Sequence, residues 1–116
     1  MLAKQGVATA LVTNNSDGNT QRLLDRFGLR FDVMLTRDSG LWKPSGAPVT
    51  EAMRQLGASP QGCLAVGDSR YDAEAGREAG CGAVCLLYEG ARMYDGEVEL
   101  RFPDLAGLTR YLEVVL

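Results

Sequence analysis

The stretch Cys63-Leu64-Ala65-Val66-Gly67-Asp68-Ser69-Arg70-Tyr71-Asp72 decides how this chain is read. Its first four residues are apolar and read as a buried strand. Gly67 to Asp72 read as the turn at the carboxyl end of that strand. Open parallel α/β sheets hold their ligands at this edge. Asp68 and Asp72 are four residues apart, so a turn running straight into helix puts both on one face. Two carboxylates held close together repel unless a cation or protons intervene. Mg²⁺ suits such a loop, since it takes one or two carboxylates and keeps several waters. The segment therefore points to a Mg²⁺ and phosphate site, with Asp68 and Asp72 as metal residues. Capping of the following helix by either aspartate is the competing reading.

Outward from this segment, strand-like and helix-like stretches alternate, the pattern of an α/β sheet. Leu2 to Gln5 read as the last turn of a helix closed by Gly6. Val7 to Val12 read as a fully buried strand. The polar cluster Thr13-Asn14-Asn15-Ser16-Asp17-Gly18 follows as a functional loop. A helix is predicted from about Asn19 to Phe27, with Leu23, Leu24 and Phe27 as its apolar stripe and Gly28 as its stop. Phe31 to Leu35 is a second strand. After the loop Thr36–Ser45, a helix runs to about Leu56 on Val49, Met53 and Leu56. Gly62 to Val66 is the third strand, Tyr71 to Ala79 a helix, and Ala83 to Leu87 the fourth strand. Glu97 to Leu100 alternate as a short edge strand. A final helix starts near Leu105 and carries Leu108, Tyr111, Leu112 and Val115.

The bulk properties narrow the function. At 116 residues the chain is one domain at most, residues 1–116. Its net charge of −3 presents no basic surface for nucleic acid. Histidine is absent, which excludes Ser-His-Asp and Cys-His catalysis and argues against a zinc site. Cys63, Cys81 and Cys85 lie in or beside apolar runs and form no C-x-x-C motif. They read as buried, reduced thiols of a cytoplasmic protein. No apolar run approaches the ~20 residues a membrane span needs, and no signal peptide is visible. Asn14-Asn15-Ser16 matches a glycosylation acceptor, a coincidence in a chain without an export signal.

Three polar sites thus fall at strand ends or loops: Thr13-Asn14-Asn15-Ser16, Lys43-Pro44, and Gly67-Asp68 to Asp72. In order and chemistry they resemble motifs two, three and four of the haloacid dehalogenase (HAD) superfamily of phosphatases. Those motifs are a Ser or Thr ending a strand, a Lys commonly followed by Pro, and a Gly-Asp-x-x-x-Asp-type segment. The resemblance covers nearly the whole chain, from Val7 to the last helix. It implies a three-layer, Rossmann-like parallel sheet with helices on both faces. It also implies that Thr13 offers its hydroxyl and backbone N–H to a phosphoryl oxygen, with Asn14 adding a second backbone donor and its side-chain amide. Lys43 neutralises the phosphate and a neighbouring carboxylate. Asp68 ligates Mg²⁺ directly, and Asp72 ligates through water or holds Lys43. Gly67 lets the backbone approach the ligand. The family's usual Lys-Pro-Asp-Pro is Lys43-Pro44-Ser45-Gly46 here.

One motif has no counterpart. The family's nucleophile is an Asp ending the central strand, in a segment close to Asp-x-Asp-Gly-Thr, and this chain contains no Asp-x-Asp. The family's strand order is 5-4-1-2-3, and the chain supplies equivalents of strands 2, 3, 4 and 5. The expected domain is therefore a partial HAD-like core, a C-terminal portion without the nucleophile strand or a cap domain. Its inner strand edges would pair with each other or be filled by another chain, or the fragment would be only marginally stable; unpaired edges would also favour self-association. Without the nucleophile, transfer through an aspartyl-phosphate cannot run. The resemblance implies hydrolysis of a small phosphorylated metabolite by the complete enzyme. A non-catalytic module binding phosphate or a partner is the alternative. A receiver-type phosphoacceptor needs an early acidic cluster and an Asp after its third strand, and this chain has neither in that order.

Overall fold

A computed structural model describes residues 2–116. Five short strands and five helices follow one another as β1 (Ala10–Val12), α1 (Asp17–Phe27), β2 (Val33–Leu35), α2 (Ala47–Leu56), β3 (Leu64–Gly67), α3 (Arg70–Glu78), β4 (Ala83–Leu87), α4 (Tyr88–Met93), β5 (Leu100–Phe102) and α5 (Leu105–Val115). Every strand pairing is parallel. The α/β class and the helices on both faces expected from the sequence are therefore present.

The sheet, however, is divided. β1 pairs with β2, and separately β3 pairs with β4 and β4 with β5. No ladder joins β1 to β3. Of the outcomes weighed for these inner edges, mutual pairing is not the one seen among the described residues. Helices α2 and α3 pack on each other, α2 against β1 and β2, and α3 against β3 and β4. The two half-sheets thus lie side by side under one helical layer. Gly46 brings that layer together. A Cβ there would lie 2.8 Å from the Ala79 backbone nitrogen and 2.9 Å from Glu78 Cβ, so only glycine lets the start of α2 meet the end of α3.

The core sits around β4, the central strand of the larger sheet. Its residues alternate in direction, as a strand requires. Val84 and Leu86 pack with Ala73 of α3 and, from the chain that follows, Ala91, Tyr94 and Val98. Cys85 and Leu87 pack with Leu108 and Leu112 of α5 on the opposite face. Burial pushes the thiols of Cys81 and Cys85 above their ordinary pKa, and all three cysteines are free.

The smaller sheet is poorly covered. Val7–Val12 was expected as a fully buried strand, yet only Ala10–Val12 pairs and none of the three is buried. One of its edges has no neighbour, so water reaches it. The predicted stripe of α1 is also mostly open: Leu23 is 50% and Phe27 63% exposed, and Thr20 alone is buried. Two strands span roughly 10 Å, about the diameter of one helix, so the small sheet gives α1 little surface to pack on. Right-handed crossovers place α1 on the face opposite α2 and α3. Val66 of β3 points away from α3 and is 45% exposed.

The carboxyl-terminal part of the chain also departs from expectation. The edge strand begins at Leu100 rather than Glu97. Glu99 instead uses its carboxylate as a surrogate strand, accepting hydrogen bonds from the Val84 N–H (2.8 Å) and from Arg77 (2.6 Å). The helix α4 was not anticipated. Among the described residues no helix is long and apolar enough to cross a membrane.

Candidate active site

The site lies at the carboxyl ends of β1 and β3, across the division in the sheet. Thr13 directly follows β1. Its backbone N–H donates to Leu35 O at 3.0 Å, extending the ladder with β2. That group is therefore not available to a phosphoryl oxygen, contrary to expectation. Its hydroxyl oxygen accepts from the Asn15 N–H at 3.1 Å, which leaves the hydroxyl proton free to donate. Ser16 then caps α1 by accepting from the Asn19 N–H at 3.2 Å.

Asn14 does something the sequence did not reveal. Its side-chain amide donates to Lys43 O and accepts from Lys43 N–H, both at 3.1 Å. This pair of bonds fastens the Lys43 backbone to the end of β1. The amide expected to reach a phosphate thus positions the lysine instead. No protein partner for the Asn14 N–H is found among the described residues, so that backbone donor remains open. The Lys43–Pro44 peptide is cis. Trp42 anchors the same loop by donating its indole N–H to Arg37 O at 2.8 Å.

From there Lys43 reaches across the division. Its ammonium is ion-paired with Asp72 Oδ1 in α3, and the two side chains are only 18% and 14% exposed. The other oxygen of Asp72 accepts from the Asp68 N–H (2.9 Å), the Ser69 N–H (3.1 Å) and the Ser69 hydroxyl (3.1 Å). Burial works against the Asp72 charge. The bond and charge of Lys43, with the Asp68 and Ser69 donors, outweigh it and hold the carboxyl below its usual range. Asp72 therefore caps the start of α3 and grips Lys43 at once. Of the two roles foreseen for it, the one visible in these contacts is holding Lys43.

Gly67 is needed for a reason other than ligand approach. A Cβ there would fall 2.1 Å from Asp72 Cβ and 2.4 Å from its carboxylate oxygen. The aspartate side chain fills the space that glycine leaves.

Asp68 stands apart from this network. It is exposed at the rim, and among the described residues its carboxylate has no hydrogen-bond or ionic partner. No cluster of three His, Cys, Asp or Glu side chains able to hold a metal occurs among the described residues. A cleft of about 400 Å³ opens beside Asp68, lined by Glu74, Glu89 and Asp95 as well as Arg70. Its acidic lining makes it a poor seat for an anion, which favours the Lys43 side of Asp68.

Comparison with known proteins accords with this arrangement. The profile of a family described as haloacid dehalogenase-like hydrolase matches residues 1–86. A phosphoglycolate phosphatase from Pectobacterium atrosepticum is 34% identical over 117 residues, covering 98% of this chain and 49% of the relative. A phosphoglycolate phosphatase from Aquifex aeolicus is 34% identical over 90 residues, covering 75% of this chain and 42% of the relative. The crystal structure of a HAD phosphatase from Thermococcus onnurineus superposes with a TM-score of 0.82 at 26% identity, covering 96% of this chain and 53% of that one. The chain spans about half the length of the curated relatives it matches. By sequence, by parallel α/β architecture and by family profile, the chain belongs to the haloacid dehalogenase-like hydrolases.

Proposed function

We propose that these 116 residues form part of the core of a Mg²⁺-dependent phosphatase acting on small phosphomonoesters in the cytoplasm. The reading is carried by one observation: Asn14, Lys43, Asp72 and the Asp68 backbone form an unbroken chain of contacts at one sheet edge. In it Lys43 supplies the positive charge for a phosphoryl group. The Thr13 hydroxyl and the Asn14 N–H donate to its oxygens. Asp72 holds the Lys43 ammonium in place.

Asp68 fits a Mg²⁺ ion as its one direct carboxylate from this chain. A free carboxylate at the rim, with water and phosphate oxygens completing the shell, is the donor set that ion favours. Bound there, Mg²⁺ would offset the charge that phosphoryl transfer builds up. Two matched relatives are phosphoglycolate phosphatases. A small phosphorylated acid of that kind is the substrate class we infer.

The nucleophile lies outside these residues. No Asp-x-Asp occurs in the chain, and the division between β1 and β3 is where a strand bearing one would pair. The chain alone is then inactive and weakly binds phosphate, which is also what a non-catalytic module of this fold would do. An aryl phosphate assay with Mg²⁺ tests the proposal. The chain alone gives no turnover. Adding a second polypeptide with an apolar strand ending in Asp-x-Asp-Gly-Thr gives turnover that Asp68→Ala or Lys43→Ala removes. Turnover by the chain alone that Asp68→Ala abolishes would overturn the inactivity. Thermal stability unmoved by Mg²⁺ and inorganic phosphate together would count against the site itself.

A further inference from the structure

The segment after β4 takes no part in the network described above, yet it presses directly on it. Tyr88 has φ +57°, the one non-glycine residue with positive φ among those described. Such a conformation is strained for a bulky side chain and needs support from its surroundings. It turns the chain abruptly into α4. Two residues on, Gly90 is buried against the Asp68–Ser69 peptide. A Cβ at Gly90 would meet Asp68 O at 2.5 Å, Asp68 C at 2.7 Å and Ser69 N at 3.1 Å. All three are backbone atoms, so no side-chain rotation relieves the contact.

The other end of α4 is tied down. Arg101 of β5 donates to Ala91 O (2.9 Å), Tyr94 O (2.7 Å) and Gly96 O (2.7 Å). Ala91 and Tyr94 also pack against the core around Val84 and Leu86. A helix held this way cannot yield easily, whereas the Asp68–Ser69 turn is at the exposed rim.

We propose that Gly90 is a positioning residue: α4, clamped by Arg101, fixes the Asp68–Ser69 peptide and through it the direction of the Asp68 carboxylate. The metal consequence rests on the reading of Asp68 given above; the backbone consequence does not. Replacing Gly90 by Ala rotates the peptide, loosens the Asp68 and Ser69 N–H bonds to Asp72, and swings the free carboxylate away.

The test uses the full chain and Mg²⁺ alone. Amide exchange is followed by NMR without metal, and Mg²⁺ affinity by calorimetry. Gly90→Ala is expected to speed exchange at Asp68 and Ser69 about tenfold relative to β4 amides, and to weaken Mg²⁺ binding about tenfold. Met93→Ala, on the same helix but 74% exposed, changes neither. Equal acceleration of all amides, or unchanged exchange at Asp68 and Ser69 in a folded variant, overturns the proposal. Selective acceleration in a protein that binds no Mg²⁺ upholds the clamp and removes the metal reading instead. Should Gly90→Ala fail to fold, Arg101→Gln frees the same helix without a clash. It is expected to shift both readouts in the same direction, and an unchanged pair of readouts overturns the proposal.

Discussion

Lys43→Met and Asp72→Asn, singly and together, probe the pair that spans the two half-sheets. The side chains are 18% and 14% exposed, so the pair is neither a surface ion pair worth ~0–1 kcal/mol nor a fully dry one whose breaking costs ~3–5 kcal/mol. Between these limits, each single change is expected to cost about 2 kcal/mol, and the coupling between them about 1–2 kcal/mol. Lys43→Met carries the larger penalty because it leaves a carboxylate semi-buried with only neutral donors. A domain of this size loses about 4 °C in Tm per kcal/mol, so a fall of about 8 °C accompanies each single variant. The pH dependence has a definite sign. Asp72 is held below its ordinary pKa of 3.8 in the folded state. Its contribution is therefore complete above the unfolded value and lost as pH falls through the lower folded value. Urea unfolding followed by far-UV circular dichroism, on all four proteins from neutral to strongly acid pH, gives the coupling at each pH. It stays level down to about pH 5 and vanishes in strong acid. A coupling below ~0.3 kcal/mol at neutral pH, or one that survives full protonation of the carboxylates, would refute the argument.

Other substitutions test separate parts of the fold. Gly67→Ala drives a methyl into the Asp72 side chain and is expected to destabilise by about 2–3 kcal/mol in urea titrations. Thr20 Oγ1 is buried without a partner among the described residues. Thr20→Val is therefore neutral or stabilises by up to about 1 kcal/mol, and a loss of that size would reveal a hidden hydrogen bond. Exposed Leu23, Phe27 and Val66, with open edges on β1 and β3, predict self-association. Sedimentation equilibrium would show mass rising with concentration, less so for Phe27→Lys, and a concentration-independent monomer would refute it.

How much of this was legible in the sequence depends on whether the deciding interaction is local. β4 was found at its true bounds because five consecutive apolar residues, buried on both faces, need no context. Gly28 ended its helix as expected, in the left-handed region. The pairing of Lys43 with Asp72 was one of two roles that the family resemblance offered for the aspartate. By contrast, Asn14 bonds a backbone 29 positions away, and no local pattern encodes that. Helix α4 has six residues with a glycine inside, too short for periodicity and against propensity. Its stability comes from Arg101 and the core. Gly67 was read as a close approach to a ligand, whereas the space it leaves is filled by a side chain five residues on. The stripe of α1 misled because periodicity reports which face is apolar, not whether anything covers it.

The division of the sheet makes the site a fastener between two bodies. Apart from α2, the larger and smaller sheets are linked near the site by the Asn14, Lys43 and Asp72 contacts rather than by a backbone ladder. The body built from β1, α1 and β2 then opens more readily than the one around β4, and its amides lose their hydrogens to solvent first. An oxyanion seated on Lys43 would draw the two bodies together. Its arrival would be felt as slower exchange along β1 and β2, in residues that never touch it.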